Sequence, residues 1–341
     1  MVSVNALPTD VGSTFPLLVC PLDRTTLVPA DSSELRCADG HRYSHASGIP
    51  RVLASQRNYA DAFGAQWKRF RSTQLDSYSG TSISQERLRR CLGEELWRTL
   101  RAGTRFEVLE PGCGAGRFTE ILLRFPAVSL TSTDLSTAVE PNQLNCPQSD
   151  RHRIIQCDIN TAPFLPRQYD LVVCLGVIQH TRSPEQTIAS LYQQVKPGGW
   201  LVIDHYAHTL SRYTKVTWLL LRPVLKRLPA ERGLAVTETL TQIFFPMHRA
   251  VRKHRLLQML LSRISPITTF FHALPQLSDR LQYEWALLDT HDGLTDYYKR
   301  LRTRSQLSRT LARLGAADIH VAKSGNGIEA RCRRPAAPAR L

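Results

Sequence analysis

The sequence predicts an α/β protein built on a doubly wound parallel sheet that closes with an antiparallel hairpin. Three observations predict it. Between residues 106 and 206, short β-branched runs alternate with helix-patterned segments, the signature of strand–helix–strand units. The stretch VLEPGCGAGRF, from Val108 to Phe118, reads as a buried strand ending in an acid and opening into a loop with three glycines. Near the end of the chain, ADIHVAK and GIEARCRR are joined by the turn SGNG, and strands joined by so tight a turn pair antiparallel.

The elements follow in order. Residues 1–54 form a small unit in which FPLLV and IPRVL flank a polar stretch containing CPLD and CADGHRYS. Residues 55–100 read as helical. Tyr59, Phe63, Trp67 and Phe70 are spaced by four, four and three, which places them on one helix face. A second helix covers Ser84–Leu100, with Ser84 as its N-cap and Glu86 in its first turn. The core occupies 101–206. FEVLE (106–110), SLTSTD (129–134), RIIQCD (153–158), YDLVVCLGVI (169–178) and WLVIDHY (200–206) are strands, and Arg117–Phe125 and Ser183–Val195 are helices. From 207 to 302 the pattern changes to basic, leucine-rich helices, an insertion before the last helix and hairpin at 303–334. The tail, 335–341, ends in PAAPARL and is expected to be disordered.

Composition narrows the class. Hydrophobic residues make up 42% and charged residues 21% of 341 positions, ordinary for a globular protein. The eight cysteines are scattered, four of them in or beside core segments, which suits reduced thiols in a cytoplasm better than a disulfide framework. MVSVNALPTD has no basic segment followed by an apolar run, so no secretory signal is expected. The most apolar stretch, TWLLLRPVL, is interrupted by Arg222 and Pro223, far short of the ~20 residues that span a bilayer. The net charge is +15, and 212–263 hold eleven Lys/Arg against two Asp/Glu. That excess is either a solvated face or a surface for an anionic partner.

The glycine loop separates three kinds of ligand. A Rossmann dinucleotide loop reads G-x-G-x-x-G and a P-loop ends in Lys-Ser/Thr. Here Gly112, Gly114 and Gly116 alternate and Arg117-Phe118 follows. An acid, Glu110, just before the loop suits a ligand with an ammonium group better than a pyrophosphate.

On these residues the chain resembles the class I S-adenosylmethionine-dependent methyltransferases, in particular the type 11-like small-molecule enzymes. The likeness covers about 106–205 and 305–334. It implies a seven-stranded Rossmann-like sheet with the insertion between strands five and six. It also implies S-adenosylmethionine as cofactor, with Glu110, Gly112, Gly114 and Gly116 around its methionine part. Asp134, 18 residues after Gly116, would take the ribose hydroxyls, and Asp158 and Ile159 would face the adenine. Tyr169-Asp170 through His180 matches the fourth-strand motif, and Lys196-Pro-Gly-Gly-Trp the turn into strand five. A YAxxFGxQW-like segment also recurs in part of the family, and by that likeness Tyr59, Gln66 and Trp67 line the cofactor, while Phe63 packs on the sheet edge.

The front unit carries Cys20-x-x-Asp23 and Cys37-x-x-x-His41, the spacing of a zinc ribbon. It resembles small zinc modules that precede some methyltransferases and end in a Gly-Ile-Pro segment like Gly48-Ile49-Pro50. Asp23 stands where cysteine is usual. Either a Cys/Asp/Cys/His zinc site survives, or the module has lost its metal.

The methyl acceptor is less legible. For a hydroxyl acceptor the enzyme must hold the nucleophile behind the methyl and accept its proton. His205 at the end of strand five is the first candidate base. Asp292, in the Asp289-Thr-His-Asp292 segment, is the second, and His180 the third; a base-free transfer by proximity is the fourth reading. After strand four CLGVI replaces the [DN]-P-P-[YF] motif of DNA amino-methylating enzymes, and Cys174 lies inside an apolar strand, unlike a nucleophile. KVTWLLLRPVLKRL and HRAVRKHRLLQMLLSRI are basic and amphipathic, which suits a lid over the pocket, an anionic membrane surface, or both. The reading is O-methylation of a small-molecule acceptor, lipid-linked or glycan in kind. An RNA guanine-N methyltransferase is the alternative, and a non-catalytic binding scaffold with the same fold is a third.

Overall fold

The structure is a computed structural model that describes residues 15–55, 59–209, 213–325 and 327–336. The first 14 residues and most of the expected tail, 337–341, lie outside the described residues, as do 57–58 of the expected aromatic helix.

Eleven strands form one sheet. Four short strands come first: β1 (Val28–Asp31), β2 (Glu34–Arg36), β3 (Arg42–Ala46) and β4 (Ile49–Val52). They pair antiparallel in succession. The remaining seven are β5 (Phe106–Pro111), β6 (Val128–Asp134), β7 (His152–Cys157), β8 (Tyr169–Cys174), β9 (Val195–His205), β10 (Ala317–Ser324) and β11 (Gly327–Arg333). Their spatial order is β7-β6-β5-β8-β9-β11-β10, with β11 antiparallel to both neighbours. This is the doubly wound sheet and terminal hairpin expected. The front module does not stand apart: β4 runs parallel to β7, Val52 opposite Cys157, so the module lengthens the sheet.

Alternation along the central strands gives each face its own core. Leu109, Val172 and Ile203 belong to one buried cluster, together with Cys20, Leu35 and Tyr43 of the module. Val108, Leu171, Val173 and Val202 belong to the other.

The helices before the core are α1 (Asp61–Arg69), α2 (Asp76–Ser79) and α3 (Ile83–Arg101). The helix expected over 57–77 is thus split. Ser84 is not a cap: its N–H, with that of Gln85, is taken by the Asp76 carboxylate at 2.9 and 2.8 Å. The capping acid comes from the preceding turn, where spacing alone does not reveal it. Gly93, at φ 77°, kinks α3 where the Arg331 guanidinium comes close.

Within the core, α4 (Thr119–Leu122) is shorter than the helix expected over Arg117–Phe125. Its continuation tightens to i→i+3 bonds, Arg124 to Ile121 and Phe125 to Leu122, as the chain turns into β6. Then come α5 (Val139–Asn145) and α6 (Pro184–Gln194), the latter capped by Ser183. The insertion holds α7 (Val216–Leu225), α8 (Ala230–Ala250), α9 (Arg255–Ile264) and α10 (Asp279–Thr295). A capping box at Thr303 and Gln306 opens α11 (Arg304–Arg313), which leads into the hairpin. α10 packs on α8 and α7, and α1 packs on α8 and α10. These helices roof the carboxyl ends of the parallel strands, where ligands bind in open α/β sheets.

Candidate functional site

A cavity of about 550 Å³ lies between the strand ends and this roof, within the usual range for small-molecule sites of roughly 300–1,000 Å³. Each wall comes from a different element. The loop after β5 contributes Gly112, Cys113, Gly114 and Ala115, β6 ends in Asp134, and β7 leads into Asp158 and Ile159. Gly176, His180 and Tyr206 follow β8 and β9, and α1 with the residues before it supplies Tyr59, Phe63, Gln66 and Trp67.

The glycine loop is held by strict geometry. Gly112 has φ 74°, and a Cβ there would lie 2.2 Å from Val177. Gly114 has φ 52°, and a Cβ would lie 3.1 Å from the Trp67 ring. Bare backbone is therefore needed at both. Asp134 ties this loop to β6: its Oδ2 accepts the Gly114 N–H at 3.0 Å, and its Oδ1 accepts from the N–H and hydroxyl of Ser136 at 2.8 and 2.7 Å. Burial raises the Asp134 carboxyl, against the bonds from Ser136. Asp158 Oδ1 accepts the Asn160 N–H at 2.8 Å. Tyr59 stacks edge-on with Tyr298 at 5.2 Å, and burial, then the Asp158 charge, pushes its hydroxyl well above the usual range.

Two residues expected at the cofactor lie behind the loop. Glu110 is 3% exposed. Its Oε2 accepts from Thr119 at 2.6 Å and Ser132 at 3.1 Å, and burial pushes it up to about 8. It braces the loop from within because residues of β5 alternate, and Glu110 points to the packed side. Gly116, at φ 98°, faces Cys146 and Asn142 and allows α5 to approach.

The candidate bases divide in the same way. His205 is a correction. It is fully buried, its Nδ1 bonds the Tyr206 carbonyl at 3.0 Å, and burial lowers it to about 4. It lies on the side of β9 away from the cavity, and its neighbour Tyr206 faces in. His180 and Asp292 do line the cavity. Tyr206 donates to Asp292 Oδ2 at 3.1 Å, and His180 reaches Asp296 at 3.0 Å and Asp292 at 3.7 Å. His180, Asp292 and Asp296 are close enough to share a metal, but Arg222 at 2.8 Å and Lys299 at 3.4 Å already neutralise Asp296. The cluster is an ion-pair network. Phe63, expected only as packing on the sheet edge, stacks edge-on with His180 at 5.0 Å and lines the cavity.

An acid was missed. Asp289 on α10 lines the cavity beside Trp285, Leu288 and Asp292. Burial, reinforced by the Asp292 charge, pushes its carboxyl up to about 7. The i, i+3, i+4, i+7 spacing of 285, 288, 289 and 292 was the available signal, because it puts two acids on an apolar face.

In the front module the four expected metal ligands converge. Cys20 Sγ, Asp23 Oδ2, Cys37 Sγ and His41 Nδ1 lie within 4.8 Å of one another. Backbone N–H groups of Leu22 and His41 point at the two sulfurs, at 3.4 and 3.2 Å. Two sulfurs, a nitrogen and an oxygen around one point fit a tetrahedral zinc ion.

Sheet order, glycine loop and the acids after β6 and β7 together define a class I S-adenosylmethionine-dependent methyltransferase domain, with S-adenosylmethionine as its cofactor. In agreement, residues 109–203 match the family model described as methyltransferase domain. A malonyl-[acyl-carrier protein] O-methyltransferase of Priestia megaterium is 34% identical over 102 residues, 30% of this chain and 37% of that protein. A ubiquinone biosynthesis O-methyltransferase of Pseudomonas savastanoi pv. phaseolicola is 33% identical over 97 residues, 27% and 41% respectively. The chain thus spans less than half the length of these curated relatives. A solved CurJ carbon methyltransferase superposes with a TM-score of 0.46 at 14% identity, over 82% of this chain and 62% of that one.

Proposed function

We propose that the chain transfers a methyl group from S-adenosylmethionine to an oxygen of a small-molecule acceptor. One observation carries the reading: the cavity that holds Gly114, Asp134 and Asp158 also holds Asp289 and Asp292, on α10. On this reading a base and a cofactor seat share one cavity.

The cofactor supplies an electrophilic methyl on a sulfonium. Asp134 is proposed to hold its ribose, Asp158 and Ile159 its adenine, and the bare backbone at Gly112 and Gly114 its methionine part. Tyr59 and Trp67 cover it. The acceptor oxygen loses its proton to Asp289 as the O–C bond forms and the C–S bond breaks. A carboxyl near 7 is well matched to a proton transfer at neutral pH. Asp292, fixed by Tyr206, orients the acceptor or takes a share of the proton. The roof of α1, α8 and α10 excludes water.

The test is transfer from radiolabelled S-adenosylmethionine into a cell lysate separated into RNA, protein, water-soluble and organic-extractable fractions. Label in a small-molecule or organic fraction, abolished by Asp289→Asn, supports the proposal. Label in RNA overturns it.

An acceptor carried on lipid, at an anionic membrane surface, is the finer part of the proposal. Val216, Leu219, Leu220 and Val224 are exposed along α7, and Leu256, Leu257, Leu260 and Ile264 along α9. Each set follows helical spacing, and the two helices adjoin through Thr217 to Ser265 and Trp218 to Pro266 bonds. Exposed Arg227, Lys253 and Arg255 flank them. Apolar stripes edged by cations complement anionic lipid. No helix among the described residues is long and apolar enough to cross a membrane. Zinc in the front module completes the proposal, in a structural role.

A further inference from the structure

The methyl-transfer reading leaves one feature of the cavity unused: its buried positive charge. Arg117, the first residue after the glycine loop, lines the cavity. Its Nε donates to Ser84 Oγ at 2.9 Å and an Nη to Gln74 Oε1 at 3.1 Å, both neutral partners. The ion pairs among the described residues do not include it. Asp289, Asp76 and Asp204 act on it only through space, and burial, with Arg87 beside it, pulls it down to about 9. The guanidinium is flanked by the rings of Phe118 and Trp285, each centred 5.2 Å away. Arg87 also lines the cavity and lies 5.5 Å from Phe118. It pairs with Asp204, yet its Nε is buried with no partner.

A buried cation with no carboxylate in direct contact, beside a buried donor without an acceptor, is costly. The planar guanidinium offers paired donors that match a carboxylate or a phosphate. We propose that Arg117, with Arg87, is the seat for an anionic group on the acceptor. The acceptor is then a carboxylate or phosphate whose apolar body lies against Leu274 and Trp285 and whose oxygen nucleophile reaches Asp289. This rests on the methyltransferase reading above and names the substrate class of that same site.

The experiment uses the full chain and, as the acceptor pool, a deproteinised cell extract kept in neutral detergent, so that free and lipid-carried acceptors are both present. The pool is passed over an anion exchanger before the labelling reaction. The expected result is that acceptor activity is lost from the flow-through and recovered in the salt eluate. Arg117→Gln then lowers transfer to that eluate by roughly 10- to 100-fold, the worth of one or two charge-assisted bonds. Arg117→Lys falls between, because it keeps the charge but loses the fork. Both variants should bind S-adenosylhomocysteine as tightly as the parent, which shows that fold and cofactor seat are intact. Prior treatment of the eluate with alkaline phosphatase separates the two anions: lost activity means a phosphate, retained activity a carboxylate. Acceptor activity in the flow-through overturns the proposal, as does an Arg117→Gln variant that transfers at the parent rate. No transfer to any fraction, with S-adenosylhomocysteine still bound, overturns the methyltransferase reading and the proposal with it.

Discussion

Asp134 Oδ2 accepts the backbone N–H of Gly114 at 3.0 Å, so the carboxylate proposed for the ribose also fixes the loop proposed for the methionine part. Asp134→Ala should therefore do more than delete ribose contacts. Two bonds to a charged acceptor, each worth roughly 1.5–3 kcal/mol, are lost, and the loop loses its tether. Calorimetry should find S-adenosylhomocysteine binding weakened at least about 100-fold. Asp134→Asn keeps the shape but not the charge and should lose less. Equal affinity of Asp134→Ala and the parent contradicts the assignment.

Asp289 gives a prediction in which activity and stability move apart. Its carboxyl is raised to about 7 in the fold, against about 3.9 in an unfolded chain. The folded state therefore favours the protonated form. That stability is fully present below about pH 4 and is lost as pH rises through 7. Asp289→Asn removes the ionising group, so its melting temperature should exceed the parent's at pH 8, and the gap should close towards pH 4. Transfer should meanwhile fall by about 10²–10⁴, the usual share of a general base. The parent's rate should rise with pH through about 7 and lose that inflection in the variant. A variant that keeps both rate and inflection removes Asp289 from the chemistry.

What the sequence revealed and what it hid have separate physical causes. Strand–helix alternation, the turn before β11 and the acids at Asp134 and Asp158 are local signals, and the fold uses them where they stand. Gly116 turns towards α5 through its φ of 98°, whereas Glu110 and His205 share one cause. Both stand at strand ends as expected, but the side a strand residue faces depends on the pleat, and a shift of one residue reverses it. So Tyr206, not His205, looks into the cavity. Asp289 and Arg117 were hidden for another reason. Their surroundings come from packing: α10 brings Asp289 and Trp285 over the strand ends, far in sequence from Arg117, and Ser84 and Gln74 hold Arg117 from the other side. The junction of β4 with β7 was likewise non-local, and it makes the front module part of the sheet.

The front module should carry metal. Cys20, Asp23, Cys37 and His41 already share one point, and Cys20 and Cys37 sit in the same buried cluster as Val172 and Ile203. Protein purified without chelator should contain about one zinc per chain, and chelation should lower its melting temperature, because metal binding is coupled to folding. Asp23→Cys should resist chelation better, since sulfur is the preferred donor of structural zinc. Metal-free protein that melts at the same temperature with and without added zinc rules the site out.

The exposed stripes on α7 and α9 carry the last prediction. Leu256, Leu260 and Ile264 are each more than half exposed, on a helix whose only buried residue is Gln258. Leaving such a stripe in water forgoes roughly 25 cal/mol for each Å² of apolar surface that burial would remove. The neighbouring cations add attraction of about 1 kcal/mol per Lys or Arg at an anionic bilayer. The protein should therefore sediment with vesicles containing phosphatidylserine, and much less with phosphatidylcholine alone. High salt should weaken the first by screening and leave any apolar remainder. Leu256→Asp with Leu260→Asp should abolish sedimentation while S-adenosylhomocysteine affinity is unchanged, because neither residue lines the cavity. Equal binding to both vesicle types denies the cations a part. A double variant that still sediments denies it to the stripe, and the exposed leucines must then meet something other than lipid.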